Sequence, residues 1–441
     1  MMKLQSPADT DSDSNSGTKA KLESPTRYIP KTLSPAPTCR RISARLYKQR
    51  LKITATLVLL SLYLVVNHLT CTMPPIRQNA DLSQHTKTLF LPYVHKFSTQ
   101  EIPMVRATIS GNDFELPMDT GSTGIMIGAP RLPHISPDEG IPAYEYLSSS
   151  RILYGGRLVS QTITFHGVDG AYATATVPIL VVDRSMVCPW YKPGVDGFHC
   201  PRIPHRPYPE PRDTSQIMYM GIGFGRNRLE HKKLKALPSG NPFLNINNIN
   251  GEEVQTGAMR TGYTISTDGV YLGLTKENTK GFVFTDLERG VTTDPRDWAM
   301  VKMCFRLNDQ GDNCGSALID TGIPQMYLRT DVGVETPNVT VRNPNKEGEA
   351  TWVKRVKPGT NIAIGFPSLE GREIVGYSFE VGTGMLMEPV YVVPESQGPP
   401  PYVNTGRNFL FGFSVVFDAD GGRFGFRAVH PQHPQISHSS L

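Results

Sequence analysis

One supersecondary unit occurs twice in this chain of 441 residues, and the duplication restricts the possible folds more than any other feature. In the first copy, apolar residues alternate over positions 104–109, a polar turn follows, and a second alternating strand ends at Asp119. In the second copy, alternating residues from Met303 onward lead through a polar turn to an apolar run that ends at Asp320. Alternation with a period of two is typical of half-buried β-strands. The sequence therefore predicts two related β-hairpins, whose final residues are 201 positions apart (320 − 119).

Both copies end in the same tripeptide, and an apolar strand follows each one. The tripeptides are Asp119-Thr120-Gly121 and Asp320-Thr321-Gly322. The simplest alternative is two ordinary β-turns, because Asp and Gly are common turn residues. A turn preference explains neither the threonine nor the apolar strands on both sides. We therefore interpret the tripeptides as equivalent loops of two similar units.

The composition favours a mostly β protein of two or three domains. The chain is longer than a typical single core allows. Its 40 Gly and 37 Pro provide many turns, and long helical periodicity is hard to find. The net charge of +5 comes largely from a basic cluster within positions 40–52, and the rest of the chain is nearly balanced. No basic helix and no basic stripe with interleaved aromatic residues indicates a nucleic-acid partner.

The amino-terminal region contains a candidate membrane segment. Residues 1–52 include a stretch rich in Ser, Thr, Pro and Asp, and they are predicted to form a disordered cytosolic tail. Residues 53–73 form an uncharged, mostly apolar run, which is long enough for a transmembrane helix of about 20 residues. The run is either a retained signal anchor or a cleaved signal peptide with a long leader. Since basic residues precede it, we expect a single-pass type II membrane protein with a lumenal or extracellular folded part, or alternatively a secreted protein.

Four of the six cysteines fall in the predicted folded part. Cys304 and Cys314 flank the turn of the second hairpin, where two facing cysteines lie at disulfide distance. Cys188 and Cys200 bracket a proline-containing loop with two histidines nearby, which allows either a disulfide or a metal site; we expect the disulfide, because the compartment is oxidising. One sequon begins at Asn338 and would be available for glycosylation in that compartment.

The repeated pattern of hairpin, apolar strand and Asp-Thr-Gly resembles the pepsin-like aspartic protease family over residues 96–428. The resemblance implies a mostly β, two-lobed acid protease fold with pseudo-twofold symmetry, preceded by the disordered tail and a single hydrophobic helix. Residues 96–258 would form the amino-terminal lobe and residues 259–430 the carboxy-terminal lobe. A stem at 74–95 and a tail at 431–441 would flank the two lobes.

The resemblance also assigns roles to the two tripeptides. It implies that Asp119 and Asp320 are paired catalytic carboxylates that share one proton, because two such close carboxylates cannot both ionise easily. One would activate a water molecule as general base, and the other would protonate the substrate carbonyl oxygen or stabilise the resulting gem-diol. The residues that the resemblance assigns to the support of this pair are Thr120, Gly121, Ser122, Thr321 and Gly322.

Three further segments match the family. Leu153-Tyr154-Gly155-Gly156 falls where the family has its flap hairpin, so Tyr154 would lie near the tip, close over the substrate and hydrogen-bond near Asp119. The alternative is a simple hairpin turn at the two glycines. Residues 219–223 are similar to the apolar-apolar-Gly segment that packs behind the first aspartate, and residues 411–426 to the final strand pair of the family.

The chain departs from the family pattern in three places. Ile323 stands where the first copy has a serine, so the second carboxylate would lack a hydroxyl donor. A lost donor disfavours the ionised form of Asp320 and predicts a pH optimum less acid than that of pepsin. Asn404-Thr405-Gly406 stands where an apolar-apolar-Gly segment is expected. Only 46 positions (119 − 73) separate the hydrophobic run from Asp119, which leaves little room for an inhibitory prosegment.

Together these features predict an aspartic-type endopeptidase that hydrolyses peptide or protein substrates. The resemblance implies no metal and no organic cofactor, and we expect a monomer. The alternative from another class is a catalytically silent protein of the same fold that binds a protein or glycan partner in the cleft. The presence of both aspartates argues against that alternative.

Overall fold

The structure is a computed structural model that describes residues 82–147, 150–226, 236–343, 352–370 and 374–429. It is mostly β, with 46% strand and 5% helix, as the sequence predicts. The described residues belong to one compact unit. None of the helices found among them has the length and apolar character that a membrane crossing requires. The predicted tails at 1–52 and 431–441 and the hydrophobic segment at 53–73 lie outside the described residues.

The strands are numbered here in chain order. The first nine are β1 (Leu89–Pro92), β2 (Met104–Ile109), β3 (Asn112–Asp119), β4 (Thr123–Gly128), β5 (Ile141–Leu147), β6 (Ile152–His166), β7 (Tyr172–Val187), β8 (Pro211–Arg212) and β9 (Met218–Ile222). The next eight are β10 (Ile246–Ile249), β11 (Glu252–Glu253), β12 (Arg260–Ile265), β13 (Gly269–Leu274), β14 (Val283–Asp286), β15 (Val301–Leu307), β16 (Asn313–Leu318) and β17 (Met326–Arg329). The last eight are β18 (Asn338–Arg342), β19 (Trp352–Val356), β20 (Asn361–Phe366), β21 (Val375–Glu380), β22 (Val392–Pro394), β23 (Tyr402–Asn404), β24 (Phe413–Asp418) and β25 (Arg423–Ala428). Short 3-10 helices span Ala129–Arg131, Pro238–Gly240, Pro242–Leu244 and Arg407–Phe411.

The strands form three larger sheets and one separate hairpin. The first sheet has ten strands in the order β11-β10-β7-β4-β9-β3-β2-β6-β5, with β8 added beside β7, and β6 and β7 also pair with each other. The second sheet has seven strands in the order β21-β20-β15-β16-β23-β17-β22. The third has six strands in the order β1-β13-β12-β24-β25-β14, and β18 and β19 form the separate hairpin. Because the third sheet contains both the first strand and the last two, it holds the two ends of the described chain together.

The two hairpins predicted from the alternating pattern are confirmed. β2 pairs with β3 and β15 pairs with β16, both antiparallel. In the first sheet β9 lies between β3, to which it is parallel, and β4, to which it is antiparallel. In the second sheet β23 lies in the same way between β16 and β17. The same strand arrangement therefore surrounds each Asp-Thr-Gly loop.

The alternating residues face the core as their period requires. In β2, Val105, Ala107 and Ile109 are buried while Arg106 between them is exposed. Burial of one such aliphatic side chain stabilises the fold by about 1.5–3 kcal/mol. Burial of this one face fixes the strand register, because a shift by one residue would expose it. The loop that follows each hairpin is therefore held at a defined place.

Both predicted disulfides are present. Cys188 and Cys200 are joined with their Cα atoms 5.8 Å apart, and Cys304 and Cys314 lie directly opposite each other on β15 and β16, 4.0 Å apart. The alternative metal site at Cys188 and Cys200 is wrong, because the disulfide occupies both sulfur atoms. Disulfides indicate an oxidising environment such as the lumenal or extracellular space.

The predicted stem at 74–95 is wrong for its second half. β1 pairs antiparallel with β13 along its whole length, and Leu91 is fully buried. Leu82 is also buried, in a cluster with Phe282 and Phe284. These apolar side chains complete the edge of the six-stranded sheet, so the folded body includes residues from at least 82 onward. Residues 74–81 lie outside the described part of the chain.

Candidate active site

Each Asp-Thr-Gly loop leaves its sheet beside a central strand. Asp119 is the last residue of β3, and Gly221 of β9 pairs with it. Asp320 follows β16, whose Leu318 pairs with Asn404 at the end of β23. In both sheets the central strand separates the strand that enters the loop from the strand that leaves it, which fixes where the acidic residue projects.

The two loops are joined through their threonines. The backbone N–H of Thr120 donates to Oγ1 of Thr321 at 3.0 Å, and the N–H of Thr321 donates to Oγ1 of Thr120 at 2.9 Å. The hydroxyl of Thr120 donates to the carbonyl oxygen of Ile319 at 2.6 Å. The hydroxyl of Thr321 donates to the carbonyl oxygen of Met118 at 2.7 Å. Both threonines are buried, so these four reciprocal bonds, each worth about 1 kcal/mol net, hold the loops against each other.

Each carboxylate lies against the glycine of the opposite loop. A Cβ atom added to Gly322 would lie 2.5 Å from Oδ1 of Asp119, and one added to Gly121 would collide with the carboxylate of Asp320. Any side chain at either position would displace a carboxylate, and glycine avoids this because it has no Cβ. The structure thus brings together the two aspartates and the two glycines that the sequence singles out.

Asp119 accepts two hydrogen bonds from its own loop. Its Oδ1 accepts from the backbone N–H of Gly121 at 2.7 Å, and its Oδ2 accepts from the hydroxyl of Ser122 at 2.7 Å. The side chain is only half-buried. The contact of Ser122 with this carboxylate is the one expected from the sequence, and its effect on activity stays a prediction.

Asp320 accepts one bond from its own loop and one from β23. Its Oδ1 accepts from the N–H of Gly322 at 2.8 Å, and its Oδ2 accepts from Nδ2 of Asn404 at 2.6 Å. Oδ1 of Asn404 accepts from the N–H of Gly406 at 3.0 Å, which fixes the orientation of the amide. Asp320 thus lacks the hydroxyl donor that Asp119 has, but it has a side-chain donor from another strand. Ile323 provides no hydroxyl, but Asn404 provides an amide.

The two carboxylates differ in their surroundings. Asp320 is 6% exposed. Burial raises the pKa of Asp320 to about 7, the nearby charge of Asp119 raises it as well, and the donors Asn404 and Gly322 lower it. Burial and a like charge both disfavour the ionised form of a carboxyl group. The surroundings of Asp320 therefore disfavour its ionised form more than an exposed site would.

The sequence did not reveal the role of Asn404, although a signal was present. The tripeptide Asn404-Thr405-Gly406 stood out only as a departure from an apolar-apolar-Gly pattern. The loss of a hydroxyl at Ile323 coincides with the gain of an amide at Asn404. Only the parallel register of β23 with β16 shows that this amide reaches Asp320.

Arg407 is a second residue that the sequence did not single out. It begins the 3-10 helix Arg407–Phe411 and is 2% exposed. Its Nη2 donates to the carbonyl oxygen of Gly322 at 2.8 Å, and its Nη1 donates to that of Thr99 at 3.4 Å. Burial lowers the pKa of Arg407 to about 10, whereas the charges of Asp320 and Asp119 raise it. A buried cation thus lies beside the second loop at neutral pH.

Tyr154, Gly155 and Gly156 lie on the second strand of a hairpin, but the glycines do not form its turn. β5 and β6 form a hairpin in which Leu147 pairs with Ile152, so the turn falls between these two residues. The two glycines lie inside β6, where its register with β7 shifts. Neither a flap tip nor a simple turn is therefore located at the glycines, because β6 continues through them and pairs with both neighbouring strands.

Tyr154 is a core residue of this hairpin. Its side chain is fully buried in a cluster with Met126, Ile152 and Leu180. In the described part of the chain its hydroxyl has no hydrogen-bond partner. The predicted hydrogen bond of Tyr154 near Asp119 is consequently not made.

The remaining predicted site lies on the surface. Asn338 begins β18 and is exposed, and its Nδ2 donates to the carbonyl oxygen of Thr336 at 2.8 Å. Glycosylation there stays a prediction. The described residues contain no group of three His, Cys, Asp or Glu side chains that could hold a metal ion.

No protein-family model matches the chain, and no curated protein matches it. The function proposed below therefore rests on the geometry of this chain's own residues.

Proposed function

We propose that this protein is an aspartic-type endopeptidase of the pepsin-like kind, in which Asp119 and Asp320 form the catalytic pair. One observation carries the proposal. Two equivalent loops, joined by reciprocal threonine hydrogen bonds, place each carboxylate against the glycine of the other loop. A turn or a structural ion pair needs no such arrangement, whereas the activation of a water molecule between two carboxylates needs both groups held close together.

The surroundings of the pair suit general acid–base chemistry at a peptide bond. The more exposed Asp119 is the candidate base that takes a proton from the attacking water. Asp320, which burial keeps protonated to a higher pH, is the candidate acid that donates to the carbonyl oxygen as the gem-diol forms. Proton transfer of this kind is most effective when each group has a pKa suited to its role. The apparent values belong to the coupled pair.

We also propose the two-lobed arrangement. The ten-stranded and seven-stranded sheets would be the cores of an amino-terminal lobe at 96–258 and a carboxy-terminal lobe at 259–430, with a pseudo-twofold axis between Thr120 and Thr321. The matching positions of β9 and β23 support this arrangement. The substrate would be a peptide or protein segment, and we propose that the protein acts as a monomer in a lumenal or extracellular compartment.

The test is hydrolysis of a casein-type substrate at several pH values, with and without pepstatin. We expect hydrolysis that pepstatin blocks and that Asp119→Asn or Asp320→Asn abolishes. Asp309→Asn is the matched control, because this aspartate is exposed in the turn of the second hairpin. A folded wild-type protein that hydrolyses no substrate at any pH would refute the proposal and favour a silent protein that binds a partner with the same fold.

A further inference from the structure

Arg407 carries a buried positive charge, and no carboxylate of the described residues forms an ion pair with it. Its Nη atoms donate to the backbone oxygens of Gly322 and Thr99. Within the described residues its Nε has no hydrogen-bond partner. An uncompensated buried charge costs several kcal/mol. A negative charge nearby is therefore required to stabilise an arginine in this place.

The negative charges that act on Arg407 are those of the aspartate pair. The guanidinium group donates to the carbonyl oxygen of Gly322, two residues after Asp320. The backbone N–H of Arg407 donates to the carbonyl oxygen of Ile323 at 2.9 Å. The charges of Asp320 and Asp119 both favour the protonated form of Arg407. Because electrostatic interaction is mutual, a cation held against this loop favours a negative charge on the pair.

We propose that Arg407 is the buried counter-charge of the Asp119/Asp320 pair and sets the pH range in which the pair carries a single negative charge. One cation balances a pair that holds one proton, so the three groups together are neutral. Arg407 is thus a positioning residue that acts through the carboxylates. This inference rests on the proposed function, because its kinetic test requires that the protein hydrolyses a substrate.

Other ionisable groups around Arg407 and the pair are less suited to this role. Arg226 lowers the pKa of Asp320. It is exposed, so solvent and salt screen its charge, whereas the charge of the buried Arg407 is screened much less. Burial raises the pKa of Tyr402 to about 12, so this residue stays neutral. The carboxylate of Glu388 is bound by backbone N–H groups of its own loop. The segment that contacts Arg407 carries the ionisable residues His95, Lys96 and Glu101, and all three are exposed.

Charge and hydrogen bonding at this position can be separated by two substitutions. Arg407→Gln keeps a donor for the carbonyl oxygen of Gly322 and removes the charge. Arg407→Lys keeps the charge and loses the planar set of donors. Arg226→Gln is the matched control, because it removes an exposed cation that acts on the same carboxylate.

The measurement is the pH dependence of kcat/KM for the purified full chain and these variants. We expect Arg407→Gln to move both limbs of the profile to higher pH by about one unit, because each carboxyl loses an opposite charge. Arg407→Lys and Arg226→Gln should move them by less than about half a unit. A purely structural role would lower kcat at every pH and leave both limbs in place, and that result overturns the inference. An equal shift in Arg226→Gln overturns it as well.

A second measurement does not need catalysis. The difference in Tm between wild type and Arg407→Gln should change across the pH range in which the pair titrates, and this change should disappear in an Asp320→Asn background. A difference in Tm that is constant between pH 3 and pH 8 overturns the inference even if the protein hydrolyses nothing. If the protein is not an endopeptidase, the measurement of Tm still tests the role of Arg407. Failure of the proposed function can therefore be told apart from failure of this inference. If Arg407→Gln does not fold, Arg407→Met serves in both measurements, because its flexible unbranched side chain can fill the space of the arginine stem.

Discussion

Replacement of Asn404 by leucine isolates the contribution of one hydrogen bond to the candidate pair. Leucine has nearly the same shape and removes the amide that donates to Oδ2 of Asp320 at 2.6 Å. Both side chains are buried, at 7% and 6% exposure. Water therefore cannot easily replace the lost donor, and we expect the ionised form of Asp320 to be selectively disfavoured.

The size of the effect follows from the charge on the acceptor. A hydrogen bond to a charged group contributes about 1.5–3 kcal/mol, and one pKa unit corresponds to about 1.4 kcal/mol. The pKa of Asp320, already raised to about 7 by burial and by Asp119, should therefore rise by about one to two units more in Asn404→Leu. The lost contact of Asn404 with the N–H of Gly406 should cost about 1 kcal/mol at every pH.

The assay is the alkaline limb of the pH profile of kcat/KM, where the pair loses its shared proton. We expect this limb to move upward by about one to two units in Asn404→Leu. Adding Ile323→Ser should reverse part of the shift, because it places a hydroxyl where the first loop has Ser122. An alkaline limb within about 0.3 units of wild type in the single variant would refute the assigned role of Asn404.

The remaining predictions concern stability. The pKa of Asp320 lies near 7 in the folded state and near 3.9 in the unfolded state. Its contribution to the unfolding free energy is therefore fully present at low pH and is lost as pH rises through 7. Asp320→Asn should flatten this fall when urea unfolding is repeated from pH 4 to pH 8. Thr321→Val leaves a buried N–H and a buried carbonyl oxygen without their partner and should cost about 2–4 kcal/mol by urea unfolding, whereas Thr162→Val, at an exposed hydroxyl, should cost less than about 0.5 kcal/mol. Gly322→Ala should abolish hydrolysis of the substrate, since the added Cβ would displace the carboxylate of the first aspartate. In the control Gly311→Ala the added Cβ meets no other atom, so hydrolysis of the same substrate should be unchanged.

The duplicated unit could be predicted because the residues that specify each hairpin lie within the hairpin itself. Alternating apolar residues specify a half-buried strand wherever they occur, so the hairpins before Asp119 and Asp320 follow from the residues that form them. The bond between Cys304 and Cys314 follows in the same way, because two cysteines at matched distances from one turn must face each other. The place of the candidate pair was thus readable in the sequence, as the two points at which these units end.

The failed predictions depended on pairing with distant strands. Two adjacent glycines suggest a turn, but the long antiparallel pairing of β6 with β7 carries the strand through Gly155 and Gly156 and buries Tyr154. Residues 89–92 look like part of a stem until β13 provides an edge with which they pair. In both cases a tertiary contact outweighs the local preference, because burial of apolar surface and completion of backbone hydrogen bonds are worth more than turn propensity.

The sequence alone determined that two similar β-units each present an Asp-Thr-Gly loop, because both the strand period and the tripeptide are local properties. Only the tertiary structure decided what surrounds the carboxylates. The contacts of Asn404 with Asp320 and of Arg407 with Gly322 join residues 84 and 85 positions apart, and they depend on the register of β23 against β16. Burial and neighbouring charge set the pKa of a carboxyl group, and both arise only when distant segments pack together.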